Sequence, residues 1–166
     1  MSEKSKNPKN NMQIKVERAD LKDIKELVDI RLEYLTEDYG SLTDIQIQKI
    51  RNQLPVYYQN HLNKDLFVYV VKTEKIISCC FLLVSEKPAN PSFIGGKTGT
   101  VMNVYTKPDF RRKGIAGKIM EFLISDARKM NLDFVELKST DSGYNLYKSV
   151  GFEDVLSKYH NMKIIF

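Results

Sequence analysis

The sequence predicts an α/β protein on the border of α+β: a mixed, mostly antiparallel, twisted sheet with helices on both faces. Three observations carry that reading. Alternating apolar stretches interleave with stretches of 3.6-residue period, in the order β α α β β β α β α β β. A strand–helix–strand unit spans Val101 to Leu137, as a right-handed parallel crossover requires. The chain has 166 residues, of which 42% are hydrophobic, enough to bury one core.

Taken in order, residues 1–11 are polar and aperiodic and read as a disordered tail, leaving 12–166 as a single domain. Met12 to Arg18 alternates Ile14 and Val16 with polar residues, a short strand. Asp20 is a suitable N-cap for a helix from Leu21 to Glu37, with Ile24, Leu27, Val28 and Leu35 as its apolar stripe. Arg31 falls on that stripe. Either its stem covers the core while its head reaches water, or it serves a site. Gly40 ends this helix, and Thr43 caps a second one, which Pro55 is expected to kink or stop, with Val56 to Leu62 continuing as another helical piece. Tyr34, Tyr39, Tyr57 and Tyr58 together suit a pocket wall, although packing alone accounts for each of them singly.

Leu66 to Val71 and Ile76 to Glu86 form a hairpin across Lys72 to Lys75. Residues 87–97 are a loop. Within it Gly95-Gly-Lys-Thr98 resembles the end of a P-loop, but the first glycine of that pattern falls on Pro91 and a strand follows, so the match is rejected. Gly99 to Thr106 is the central strand, stopped by Pro108. A helix from about Arg112 to Met130 carries Ala116, Ile119, Met120, Leu123, Ala127 and Met130 at helical spacing. Phe134 to Leu137 is a strand, and Tyr144 to Val150 a short helix ended by Gly151. Phe152 to Leu156 and Met162 to Phe166 are expected as closing strands, able to pair across a homodimer.

Composition narrows the function. The net charge is +5, of which Lys4, Lys6, Lys9 and Glu3 account for +2 in the tail. The rest forms no dense basic run with interleaved aromatics, so nucleic acid is not the expected partner. No apolar run approaches membrane-spanning length, and no leader peptide is visible. Cys79 and Cys80 are adjacent, so in a strand they point to opposite faces and do not pair. That usage fits a reducing, cytoplasmic setting. With only His61 and His160 to join them, no metal site is expected.

The informative stretch runs from Val101 to Ala116: a strand, a proline stop, a basic glycine-containing turn and a helix start. Free N–H groups at a helix mouth, plus the helix dipole, make a phosphate site. Gly114 lets phosphate approach the backbone, and Arg111, Arg112, Lys113 and Lys118 add charge.

Arg111-Arg-Lys-Gly114-Ile-Ala116 resembles the Arg/Gln-x-x-Gly-x-Gly/Ala signature of the GNAT superfamily of N-acetyltransferases. Tyr147-Lys-Ser-Val-Gly151-Phe152 resembles the second motif of that family, and the element order also matches. The resemblance implies a GNAT-like acyl-CoA N-acyltransferase fold, with acetyl-CoA as cosubstrate and a small-molecule or protein amine as acceptor. It implies pyrophosphate held by Arg111, Arg112, Lys113, Gly114, Ile115, Ala116, Gly117 and Lys118. The pantetheine arm would lie along Val104, Tyr105 and Thr106 and beside Thr140, Gly143 and Tyr147. The Val104 N–H would stabilise the oxyanion, and Tyr147 would be the general acid. Arg31, Glu33, Tyr34 and Glu37 would face the acceptor.

This chain departs from the pattern at Thr140, where the family often has Asn, and at Gly143, commonly Ala. Thr98, Thr100 and Asn103 stand where some members carry a glutamate base, leaving Glu33, Glu37 and Asp38 as alternatives. A non-catalytic acyl-CoA sensor is therefore the competing expectation.

Overall fold

The computed structural model describes residues 13–166. The expected tail, and the first residue of the expected opening strand, lie outside the described residues. Five strands form one sheet whose spatial order follows the chain. β1 (Val16–Arg18), β2 (Leu66–Lys72), β3 (Ile76–Glu86) and β4 (Lys97–Thr106) pair antiparallel in succession. β5 (Phe134–Glu136) pairs parallel with β4, completing the strand–helix–strand crossover.

Asp20 caps as expected, through a capping box with Asp23, but the first turn is a 3₁₀ helix and α1 proper is Ile24–Tyr39. Thr43 caps α2 (Asp44–His61) reciprocally with Gln46. α2 is not stopped at Pro55 and runs on to His61, taking in the helical continuation expected beyond the proline. An interior proline costs roughly 3 kcal/mol. The flanking Leu54 and Tyr58 are both buried, and their packing offsets that cost.

α1 and α2 cover one face of the sheet. Leu27, Ile30 and Tyr58 pack there against Val68, Val70 and Phe81. α3 (Ile115–Lys129) covers the other, with Ile119, Met120 and Leu123 against Tyr69, Cys80 and Leu82. Each such side chain, fully buried, contributes roughly 1.5–3 kcal/mol. Cys79 and Cys80 fall into the two different layers, as adjacent strand residues must. α4 (Asp141–Ser149) follows β5 and packs through Tyr147 onto the α3 layer.

The closing strands expected at Phe152 to Leu156 and Met162 to Phe166 do not form. Leu156, Met162, Ile165 and Phe166 are exposed. Their alternation satisfies the local requirement for a strand. A strand also needs an edge to receive it, and β5, the edge strand on that side, pairs only with β4.

Candidate active site

The turn between β4 and α3 is a row of unsatisfied donors. Arg112 (φ 62°) and Gly114 (φ 75°) are both left-handed, which turns successive amides toward one concavity. Among the described residues, no backbone or side-chain acceptor meets the N–H groups of Arg112 to Gly117; the first amide of α3 that is satisfied outside the helix is Lys118, onto Gly114. A β-carbon at Gly114 would meet nothing within 4 Å, so the mouth is open. The Ile115 side chain is buried, so that residue faces the concavity with backbone alone.

The basic residues divide. Arg111 does not offer its fork to the mouth. It donates to Glu37 at 2.7 and 2.9 Å and to the Thr106 carbonyl at 2.8 Å, clamping the turn to α1. Lys113 donates to the Asp109 carbonyl and lies over Phe110. Arg112 and Lys118 are exposed and, among the described residues, have no carboxylate partner.

Alongside the turn the sheet opens. β4 pairs with β5 only from Thr98 to Thr100, then runs alone on that side to Thr106. Its register against β3 slips between Cys79 and Phe81, so Cys80 opposes both Asn103 and Val104. This is a β-bulge, with Asn103 at φ 53°. Val104 and Tyr105 follow it directly on the open edge.

α4 brings Tyr147 to the same opening. Phe152 N–H reaches the Tyr147 carbonyl at 3.0 Å and Gly151 N–H reaches the Lys148 carbonyl at 3.2 Å, with Gly151 at φ 99°. That is a Schellman cap, whose usual apolar contact is here Phe152 edge-on to Tyr147 at 6.1 Å. The Tyr-x-x-x-Gly-Phe spacing is thus the cap that seats Tyr147. Burial, then Cys80 and Tyr34, push the Tyr147 phenol up to about 12. Tyr34 stands on α1, so the two rings face the cleft from opposite walls. A β-carbon on Gly143 would stand 2.7 Å from the Tyr147 ring, so Gly143 makes room for that ring. Thr140 starts α4 through its carbonyl, which accepts from Gly143 and Tyr144.

These pieces line one cleft of about 2130 Å³, larger than the roughly 300–1,000 Å³ of a drug-sized pocket. Arg31, Tyr34 and Glu37 line it from α1; Val104 to Thr106 form the floor; Arg112, Gly114 to Gly117, Thr140, Gly143 and Tyr147 line the far wall. Glu33 lies outside it, on a second cleft behind α1, paired with Lys107 at 2.9 Å. A model described as the Acetyltransferase (GNAT) family matches residues 24–152.

The chain belongs to the GNAT acetyltransferase family. Among solved structures, it resembles a "predicted acetyltransferase with acetyl-CoA" from Clostridium acetobutylicum at 27% identity and TM-score 0.78, covering 91% of this chain and 96% of that one. Glucosamine-6-phosphate N-acetyltransferase from Arabidopsis thaliana shares the fold at 20% identity and TM-score 0.61, over 93% and 99% of the two chains. Ribosomal-protein-alanine N-acetyltransferase from Brucella melitensis does so at 15% and 0.63, over 92% and 99%. No curated protein matches the chain significantly.

The two cysteines of this GNAT chain lie away from the cleft. Cys79 and Cys80 are fully buried, and burial pushes the Cys79 thiol up to about 12 and Cys80 well above its usual range. Among the described residues no group of His, Cys, Asp and Glu converges as metal ligands, and no helix is long and apolar enough to cross a membrane. Sequence reasoning missed the two uses of α1: Glu37 as the clamp on Arg111, and Arg31 as the partner of Asn103. The spacing of Arg31, Glu33 and Glu37 on one helix was visible, but the long-range partners were not.

Proposed function

We propose that this chain transfers the acetyl group of acetyl-CoA to a primary amine by direct attack. The observation that supports this most is convergence: the unpaired amides of Arg112 and Gly114 to Gly117, an open strand edge and a seated tyrosine line one cleft. The amides from Arg112 to Gly117, with Arg112 and Lys118 beside them, suit the pyrophosphate of coenzyme A. The free edge of β4 suits the amide-rich pantetheine arm, which would bond there as an added strand does.

Acetyl-CoA supplies an activated thioester carbonyl; the amine nitrogen bonds to that carbon, the C–S bond breaks, and the amine gives up one proton as the sulfur gains one. The Val104 N–H, on the bulged edge, polarises the carbonyl oxygen as charge develops on it. Tyr147 is the general acid for sulfur. Its phenol is protonated throughout the neutral range. Because its pKa stands above the reference thiol value of about 8.5, donation runs downhill only if the amine proton refills it, so one net proton passes from nitrogen to sulfur. A route through a cysteine acyl-enzyme is disfavoured, since both thiols are buried and protonated.

Glu33 and Glu37 each already hold a cation, which weakens them as bases. That observation favours a second reading, an acyl-CoA sensor. The two separate on Tyr147→Phe: turnover should fall about 100-fold, the size of general-acid help, while the acetyl-CoA dissociation constant stays within about threefold. Equal turnover in the variant removes Tyr147 from the acid role.

A further inference from the structure

Arg31 is a cation in the cleft without a counter-ion. It projects from the face of α1 that lines the cleft and is half-buried. Among the described residues no carboxylate comes within ion-pair distance of it. The two nearest in sequence on that helix, Asp29 and Glu33, are held by Arg51 and Lys107, and Glu37 is held by Arg111. Snorkelling to water would explain an exposed head. This head is instead anchored inward: its Nη1 donates at 2.7 Å to Asn103 Oδ1. Asn103 is itself buried, and its amide nitrogen is taken by Cys79 Sγ at 3.2 Å. The guanidinium also lies 5.6 Å from the Tyr34 ring centroid. One end of the fork is therefore fixed, and the Nε–Nη2 edge is left to take both oxygens of a planar anion.

The anchor sits at the bulge. Asn103 immediately precedes Val104, whose N–H is assigned to the reacting carbonyl, and adjacent Cα atoms are about 3.8 Å apart. We propose that Arg31 binds a carboxylate of the acceptor, so that the acceptor class is an amine carrying a carboxylate a few bonds from its nitrogen. This rests on the transfer reading above. Arg31 is a specificity residue, and its charge selects the substrate rather than moving a proton.

The test uses the full chain with saturating acetyl-CoA and matched acceptor pairs, each an amino acid and its carboxamide, from α- to ω-amino acids. Rates are normalised to the neutral amine. Wild type should favour the acid member of at least one pair by about 10- to 100-fold in kcat/KM. Arg31→Gln should bring that ratio to within about threefold of one, chiefly through KM, and Arg31→Lys should fall between. Acetyl-CoA calorimetry shows that each variant is folded. If wild type uses acids and carboxamides equally, or Arg31→Gln keeps the preference, the inference is overturned while acetyl transfer stands. If neither member of any pair is turned over although acetyl-CoA binds, the inference is overturned, whereas the transfer reading fails only when amines without a carboxylate also release no coenzyme A.

Discussion

Gly143 and Tyr147 lie one helical turn apart on α4, and the space at the first decides where the ring of the second can lie. Gly143→Ala places a methyl 2.7 Å from that ring, closer than any real contact, so the ring must move. A displaced acid costs rate more than affinity, because only the reacting geometry depends on it. We expect kcat to fall about tenfold with acetyl-CoA affinity little changed; a parallel loss of both would place Gly143 against the cosubstrate instead. The Tyr147 phenol makes a second prediction. Its pKa is raised, so the protonated, donating form persists as pH rises and is lost only near about 12. Turnover should climb with pH as the amine loses its proton, with no falling limb below pH of about 10. A falling limb with an apparent pKa near 8 or 9 would show that another group is the acid. Tyr147 was legible in the sequence because Gly151 and Phe152 mark its register. Asn103 was not, since nothing local announces that a strand residue will be turned over by a bulge.

At the scale of elements, two connections carry the site. The turn before α3 depends on Gly114 for its left-handed backbone. Gly114→Ala should cost about 1–2 kcal/mol of stability, although no protein atom crowds the new methyl. The methyl would enter the mouth of the amide row, so acetyl-CoA affinity should drop by more than stability alone explains; calorimetry on folded variant checks this. The second connection runs across the sheet. Asp126 on α3 accepts from Arg18 of β1 at 2.6 and 2.9 Å and from the buried Tyr69 hydroxyl at 2.6 Å. Asp126→Ala orphans both donors and should lower the unfolding free energy by about 3 kcal/mol, read from a denaturant titration. The sequence held a clue to it, an aspartate three residues beyond Leu123 on the buried face of α3. The hairpin of β2 and β3 was legible almost to the residue, because alternation and turn were both local. The closing strands at Phe152 to Leu156 and Met162 to Phe166 were misread because their apolar pattern says nothing about whether an edge will accept them. At Pro55 the sequence left a kink or a stop open, and buried packing by Leu54 and Tyr58 carries the helix on.

For the whole molecule, the placement of charge matters more than its net value of +5. Glu37 holds Arg111 and Glu33 holds Lys107, while Arg31 at one end of the cleft and Arg112 at the other have no carboxylate partner among the described residues, as is also true of Arg128 and Lys138 on the cleft wall. Arg112 suits the phosphates of the donor and Arg31 an anion on the acceptor, with the bulged edge of β4 between them. The fold was readable from the element order and two short motifs, which also marked the amide row and the seated tyrosine proposed here for the donor. The acceptor half depends on which α1 charges find partners across the cleft, a fact of tertiary structure. The most direct measurement is a thiol-release assay with acetyl-CoA over a panel of amines, with the products identified by mass. The account predicts free coenzyme A and N-acetylated amine in equal amounts from at least one acceptor. Tight acetyl-CoA binding with no thiol released above the buffer rate by any amine would contradict it.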